Sequence, residues 1–304
     1  MELGYHRYPF KKEELPGKTP NISPDAGTQN AKRNPKETKL LFLHGMGGTG
    51  ALWRPVAAAL EDDFDILAPD QRGHGRSQVQ SVPAGLSSHG KGSGFTPLDY
   101  GRDLVDTLTA LQFHPTWVIG HSMGVRSACA LAHLKPEWVQ GLLLIDLGFS
   151  GPAGGGLGDG LANFLKKLPP RFDSRAQAKE FMAQECPDPS IAQYLMAVSV
   201  PEPGTAGITF PFDRSALIQT IEAARDTSVR KWIEEFGKSG KPVLVLRGAL
   251  SQVWTHEEFM KEKHHLSGFS SIQFEEVHGA SHGLPFEKRL EFVERLRRLV
   301  TPAT

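Results

Sequence analysis

Cysteine is nearly absent. The 304 residues hold two, Cys129 and Cys186, too few for a disulfide framework or a paired-cysteine zinc site. Long apolar runs are missing as well. No stretch approaches the roughly 18 residues of a membrane helix, and the opening MELGYHRYPFKKEEL has no apolar centre resembling a secretory signal. These absences predict a cytoplasmic protein with no membrane partner. Excess charge of either sign is lacking, since Lys plus Arg number 34 and Asp plus Glu 34, so nucleic acid is not expected as a partner. Metal-ligand spacing is wanting too. Among 12 histidines there is no HExxH, and His278 and His282 bracket Gly279-Ala280-Ser281, a turn rather than a helix face with two ligands. No metal is expected.

What is present is a rhythm. Short apolar runs bounded by turn residues recur at 40–43 (LLFL), 64–68 (FDILA), 116–120 (TWVIG), 141–146 (GLLLID), 241–246 (KPVLVL) and 271–277 (SIQFEEV), after a short first strand in GYHRYPF. Helical patterns separate most of them. PLDYGRDLVDTLTALQ carries Leu104, Leu108 and Leu111 on one face, and PFEKRLEFVERLRRLV starts with Pro285 in a first-turn place and carries Phe286, Leu290 and Val293 on a stripe. Strands alternating with helices point to an α/β protein with a mostly parallel sheet covered on both faces. Three segments break the rhythm. Residues 11–39 are polar and rich in Pro, Asn and Lys, which predicts an exposed loop or linker. Residues 79–96 read as a surface loop. From Phe149 to Gly240 the chain opens with GPAGGGLGDG and continues in helical patterns with no clear strand, so 149–239 reads as a helical cap inserted into a core made of 1–148 and 240–304.

At 40–50, LLFLHGMGGTG runs from a strand into Gly45, Gly47 and Gly50, the spacing of a dinucleotide-binding loop, and Asp70 closes the next strand where such a fold places an acidic residue. That motif alone does not say which anion the backbone amides would serve. The arbiter is TWVIGHSMGVRSACALA. Gly120-His121-Ser122-Met123-Gly124 sits between a strand and a helix, the context of a nucleophile elbow. There the serine adopts strained dihedrals, and the flanking positions must be small because strand and helix approach closely. A serine needs a base to become a nucleophile. The loop after the last strand, VHGASHG, offers His282 just ahead of the closing helix and His278 nearer the strand end, and His282 is the preferred base.

On these residues the chain resembles the α/β-hydrolase superfamily in its esterase-like branch, over about residues 38–148 and 240–300. LHGMGG is similar to the family's oxyanion loop, PDQRGHGRS to its PDxRGxGxS segment, GHSMG to its elbow and GASHG to its histidine loop. The resemblance implies a mostly parallel eight-stranded sheet flanked by helices, a helical cap inserted after the sixth strand, and no organic cofactor. It implies that the backbone N–H groups of Met46 and Met123 form the oxyanion hole and that Asp70 is a structural brace. One departure stands out: RGALSQVW has Gln252 where the branch usually has a catalytic Asp. Some members take the acid from the end of strand six, where GLLLIDLGFS has Asp146. Asp146 is therefore the expected triad acid, with a purely structural Asp146 as the competing reading and Glu257 and Glu258 ranked behind it.

The activity so implied is that of a serine hydrolase cleaving a small or medium carboxylic ester or lactone through an acyl-enzyme on Ser122. Its partner would be a small-molecule, ester-like substrate. Phe149, Phe181 and Met182, together with Phe164, are candidates for an apolar acyl pocket, against the simpler reading of helix packing. Two other uses stay open: a lid-gated small-molecule binding or signalling protein with slow or no turnover, and cleavage of a C–C bond beside a ketone.

Overall fold

The computed structural model describes residues 1–9, 38–78, 94–151, 157–225 and 227–301. The expected linker of 11–39 lies outside them up to residue 37, as do most of the 79–96 loop and the Gly-rich start of the insertion at 152–156. The first half of the chain runs β1 (Tyr5–Tyr8), β2 (Lys39–Leu43), α1 (Arg54–Ala57), β3 (Asp65–Pro69), α2 (Pro97–Ala110), β4 (Trp117–His121), α3 (Met123–Leu134) and β5 (Gly141–Ile145). Next come α4 (Leu157–Lys167), β6 (Arg171–Phe172), α5 (Arg175–Glu185), α6 (Pro189–Val198), β7 (Val200–Pro201), β8 (Ile208–Thr209) and α7 (Arg214–Arg225). The chain closes with α8 (Arg230–Lys238), β9 (Val243–Gly248), α9 (His256–His265), β10 (Ile272–Val277), α10 (Leu284–Glu287) and α11 (Arg289–Val300).

Seven strands form one sheet in the order β1-β3-β2-β4-β5-β9-β10. Every neighbouring pair is parallel except β1, which runs antiparallel to β3. The eighth strand implied by the family is not found among the described residues. Among the described residues only Tyr5–Tyr8 pairs along the outer side of β3, and the insertion follows the fifth described strand of the sheet. Burial explains the sequence pattern. β4 and β5 are buried at every position, as strands covered on both faces must be, whereas β10 at the edge is fully buried only at Ile272 and Val277.

Two apolar layers cover the sheet. On one face Leu104 and Leu108 of α2, Val125 of α3, Ile233 of α8 and Phe259 of α9 pack on Val118, Leu142 and Val245. On the other, Val56 of α1 and Phe292 and Leu296 of α11 pack on Phe42, Ile119 and Leu246. Each such side chain contributes about 1.5–3 kcal/mol by leaving water. The closing helix departs from its expected stripe. The chain breaks at Lys288, between α10 and α11, and this resets the helical register: Phe292, Val293, Leu296 and Val300 are buried, whereas Leu290 is 77% exposed.

The insertion has an apolar cluster of its own, including Phe164, Leu168, Ile191, Leu195 and Leu217. It also holds strands, in the order β6-β8-β7. Each is two residues long, too short to leave an alternating pattern in the sequence. α8 falls inside the expected cap boundaries but packs on the sheet side, with Ile233 and Phe236 in the same cluster as α3. No helix among the described residues is long and apolar enough to cross a membrane.

Candidate active site

The elbow is built by close approach. A Cβ on Gly120 would stand 2.4 Å from Gly124 O, and one on Gly124 would stand 2.4 Å from Leu43 O, so both flanks of Ser122 exclude any side chain. Ser122 itself has φ 53° and ψ −123°, a conformation costing of order 1–3 kcal/mol. Its N–H donates to Ile145 O at 2.8 Å, which ties the turn to the neighbouring strand. Its side chain makes no cap bond to α3, and Oγ lies instead 3.0 Å from His282 Nε2.

His282 completes a chain of contacts. Its Nδ1 lies 2.7 Å from Asp146 Oδ2. A carboxylate accepts, so Nδ1 carries the proton and Nε2 is left as the acceptor facing the Ser122 hydroxyl. Asp146 is fully buried at the end of β5 and has φ 56°, a left-handed conformation that Asp tolerates better than most residues. It accepts two further bonds, from Gly248 N–H to Oδ1 at 2.9 Å and from Ser251 O–H to Oδ2 at 2.5 Å. The other acids stand apart. Glu257 pairs with Lys261 at the surface, Glu258 caps α9 through Thr255, and Gln252 is an exposed residue on the rim of the cavity. His278 is exposed.

A second set of buried groups holds the loop at 44–50. His44 Nδ1–H donates to Gly45 O at 2.8 Å, and its Nε2 accepts from Gln71 N–H at 2.9 Å. His74 Nδ1–H donates to Arg72 O, and its Nε2 accepts from Gly47 N–H, both at 2.9 Å. Asp70 accepts from Gly50 N–H at 2.7 Å and from Arg76 N–H at 3.0 Å. The Gly47, Gly48 and Gly50 amides are thus paired inside the protein, which disposes of the pyrophosphate use raised by the glycine spacing. His121 donates from Nε2 to His282 O at 2.7 Å and so fixes the histidine loop. Burial keeps all three histidines neutral, lowering His44 to about 4, His74 to about 3 and His121 to about 3.

By contrast, the backbone N–H groups of Met46 and Met123 have no hydrogen-bond partner among the described residues. Met123 opens α3, where the first amides have no acceptor within the helix and the helix dipole is positive. Both methionines, with Ser122 and His282, line a cavity of about 740 Å³. Its remaining wall is largely apolar and comes from the insertion, through Leu161, Leu165, Tyr194, Leu195 and Ile221, and from Trp254.

The aromatic residues expected to form the acyl pocket are elsewhere. Phe149 is fully buried in the core, its ring 6.2 Å from that of Trp254. Phe181 packs between Phe164 and Phe172, and Met182 is buried in the cluster of the insertion. None of these residues lines the cavity, because each side chain faces the interior of its own layer. Several groups at the site had no motif to announce them. Tyr194 of α6 lies 3.4 Å from Gly45 O through its hydroxyl, and its only signal is an aromatic ring within an apolar helix. Arg126 also lines the cavity, and its signal is a single charge inside the run MGVRSACALA.

Comparison with known proteins agrees with this architecture. The family model described as the α/β hydrolase fold matches residues 39–180. The chain is 26% identical over 227 residues to the 2-(acetamidomethylene)succinate hydrolase of Mesorhizobium japonicum, covering 74% of this chain and 76% of that protein. It is 25% identical over 278 residues to the sn-1-specific diacylglycerol lipase ABHD11 of Xenopus laevis, covering 87% of this chain and 80% of that one. Among solved structures, a marine microorganism esterase superposes with a TM-score of 0.70 at 18% identity, over 98% of this chain and 99% of that one. The chain has the α/β-hydrolase fold, and over residues 39–180 it is similar to the α/β-hydrolase superfamily.

Proposed function

We propose that the chain is a serine hydrolase that cleaves a small or medium carboxylic ester or lactone through an acyl-enzyme on Ser122. The observation that carries this reading is the unbroken contact chain from Ser122 Oγ through His282 to Asp146, at 3.0 and 2.7 Å. The relatives named above as a lipase and as a hydrolase support the same class of chemistry.

In the proposed cycle Ser122 Oγ attacks the substrate carbonyl carbon while its proton passes to His282 Nε2. Asp146 stabilises the imidazolium through Nδ1–H. The negative charge that develops on the carbonyl oxygen is met by the Met46 and Met123 amides, and each such donor is worth about 3–4 kcal/mol in the transition state. His282 then delivers its proton to the leaving alcohol oxygen, freeing the alcohol and leaving an ester on Ser122. A water gives its proton to His282 and attacks that ester, and the proton returns to Ser122 as the acid departs. The segment from α4 to α7 acts as a cap that supplies the apolar wall of the cavity and limits water there.

The test is the intact mass after exposure to a fluorophosphonate. Wild type is expected to gain one adduct, and Ser122→Ala none. A folded wild-type protein that gains no adduct would refute an activated Ser122 and favour a binding protein of the same fold.

A further inference from the structure

Helix α3 is buried from Met123 to Ala132, and Arg126 is the one charged side chain in that run. Arg126 is 7% exposed and lines the same cavity as Ser122, about 6 Å further along the helix axis. Two backbone carbonyls hold it: Nη1–H donates to Thr227 O at 2.8 Å and Nη2–H to Ser150 O. Both acceptors are neutral, so they orient the cation without neutralising it. Burial pushes the guanidinium down to about 10, which leaves it charged at neutral pH.

The other charges around the cavity are matched. Arg230 grips Glu262 with two bonds, at 2.9 and 2.8 Å. Lys261 pairs with Glu257 at 2.7 Å, and Glu258 closes the capping box of α9. Arg126 has no ion-pair partner within 4.0 Å among the described residues. The carboxylate that acts on it from further away is Glu262, already held by Arg230. A guanidinium has five N–H donors in a planar fork that fits a carboxylate. With two of them on carbonyls, three remain. A buried cation without an anion is the unfavourable half of an ion pair, and an anionic group on a ligand would complete it.

We propose that Arg126 is the anion subsite of this cavity and that the substrate is an ester bearing a free carboxylate away from its scissile bond. This rests on the serine-hydrolase reading above. A different role for Arg126 is to clamp the two ends of the insertion, since Ser150 leaves β5 and Thr227 leads into α8. A clamp needs only the two carbonyls and gives no discrimination by substrate charge.

The experiment is therefore a ratio. Hydrolysis of 4-acetoxybenzoate against p-tolyl acetate, and of monomethyl glutarate against methyl butyrate, is compared in wild type, Arg126→Met and Arg126→Lys, with spontaneous rates subtracted. In wild type the charged ester of at least one pair is expected to be favoured about tenfold or more in kcat/KM, chiefly through KM. The preference should vanish in Arg126→Met and survive in part in Arg126→Lys. Taking the ratio within each variant cancels any loss of folded enzyme. A readout free of substrate choice is the rate at which a fluorophosphonate labels Ser122: glutarate should slow it in wild type and leave Arg126→Met unaffected. Labelling that proceeds with no charge preference in either pair and no protection by glutarate overturns the anion subsite and leaves the serine-hydrolase reading standing. Absence of labelling on folded wild type overturns that reading instead, and calorimetry of glutarate with wild type and Arg126→Met then decides the anion site alone.

Discussion

Asp146→Asn is the perturbation that bears most directly on the proposed mechanism. The carboxylate faces His282 Nδ1 at 2.7 Å, and it meets a cation only after the Ser122 proton has moved to His282. Its electrostatic contribution therefore falls on the transition state rather than on the bound substrate. With an effective dielectric constant of about 20, two unit charges at that separation attract by roughly 6 kcal/mol. At about 1.4 kcal/mol per decade this corresponds to roughly 10⁴ in rate, the loss seen when a triad Asp becomes Asn. Hydrogen bonding works in the same direction. If the Asn oxygen keeps the Gly248 N–H, its NH₂ faces His282 Nδ1 and forces the proton onto Nε2, the wrong nitrogen for a base. If the oxygen turns to His282, the NH₂ meets the Gly248 donor. Asn adopts the left-handed conformation of this position readily, so the variant should fold. Expected is a fall of about 10⁴ in kcat with KM little changed, and a parallel fall in the rate of fluorophosphonate labelling. Activity within a few fold of wild type would mean that Asp146 only braces the loop of Gly248 and Ser251, and the assignment of the acid would be wrong.

Acid should destabilise the fold well before the carboxylates titrate. His44, His74 and His121 are held below their ordinary value of 6.5, at about 4, 3 and 3, so below pH 6.5 the unfolded chain binds up to three more protons than the folded one. Stability is thus fully present above pH 6.5 and is lost as the pH falls toward 4, by up to about 4 kcal/mol per pH unit; a urea midpoint unchanged between pH 7 and pH 5 would refute this. Gly124→Ala places a methyl 2.4 Å from Leu43 O, a backbone atom that cannot swing aside, and should lower stability by about 3 kcal/mol or abolish soluble folding, whereas an unchanged melting temperature would mean the elbow is looser than described. Leu296→Ala should cost about 2–5 kcal/mol and Leu290→Glu less than about 0.5 kcal/mol, and equal effects in urea melts would contradict the register of α11.

What the residues disclosed in advance follows from how local each signal is. The sheet strands were legible because their apolar runs are continuous where both faces are covered, as in LLFL and GLLLI. The meeting of Ser122 with His282 was legible because an elbow and a loop ahead of the last helix are set by neighbours in the chain. The cavity wall was not. Phe149, Phe181 and Met182 are as apolar as Leu161, Leu165 and Leu195, and only tertiary packing decides which set turns toward Ser122. The stripe on the closing helix failed for a related reason. Phe286 and Val293 belong to two short helices interrupted at Lys288, and a periodicity read across that break assigns Leu290 to the wrong face. β6, β7 and β8 lay below the length at which alternation can be seen at all.

The place of Asp146, the proposed acid, has a geometric reason in the sheet. β5 and β9 are adjacent and parallel, with Ile145 opposite Leu246, and the Asp146 N–H donates to Leu246 O at 2.8 Å. The ends of β5 and β9 are therefore one strand spacing apart, about 4.8 Å, and the loop that normally carries the acid leaves the second of them. Both open onto the same histidine loop. A carboxylate on either strand end can reach His282 Nδ1, provided the other leaves the space and supplies donors. Here Gly248 at the end of β9 and Ser251 in the loop after it donate to Asp146, the proposed acid, while Gln252 turns out to the cavity rim. The proposed triad is thus rebuilt across a strand boundary without moving its base.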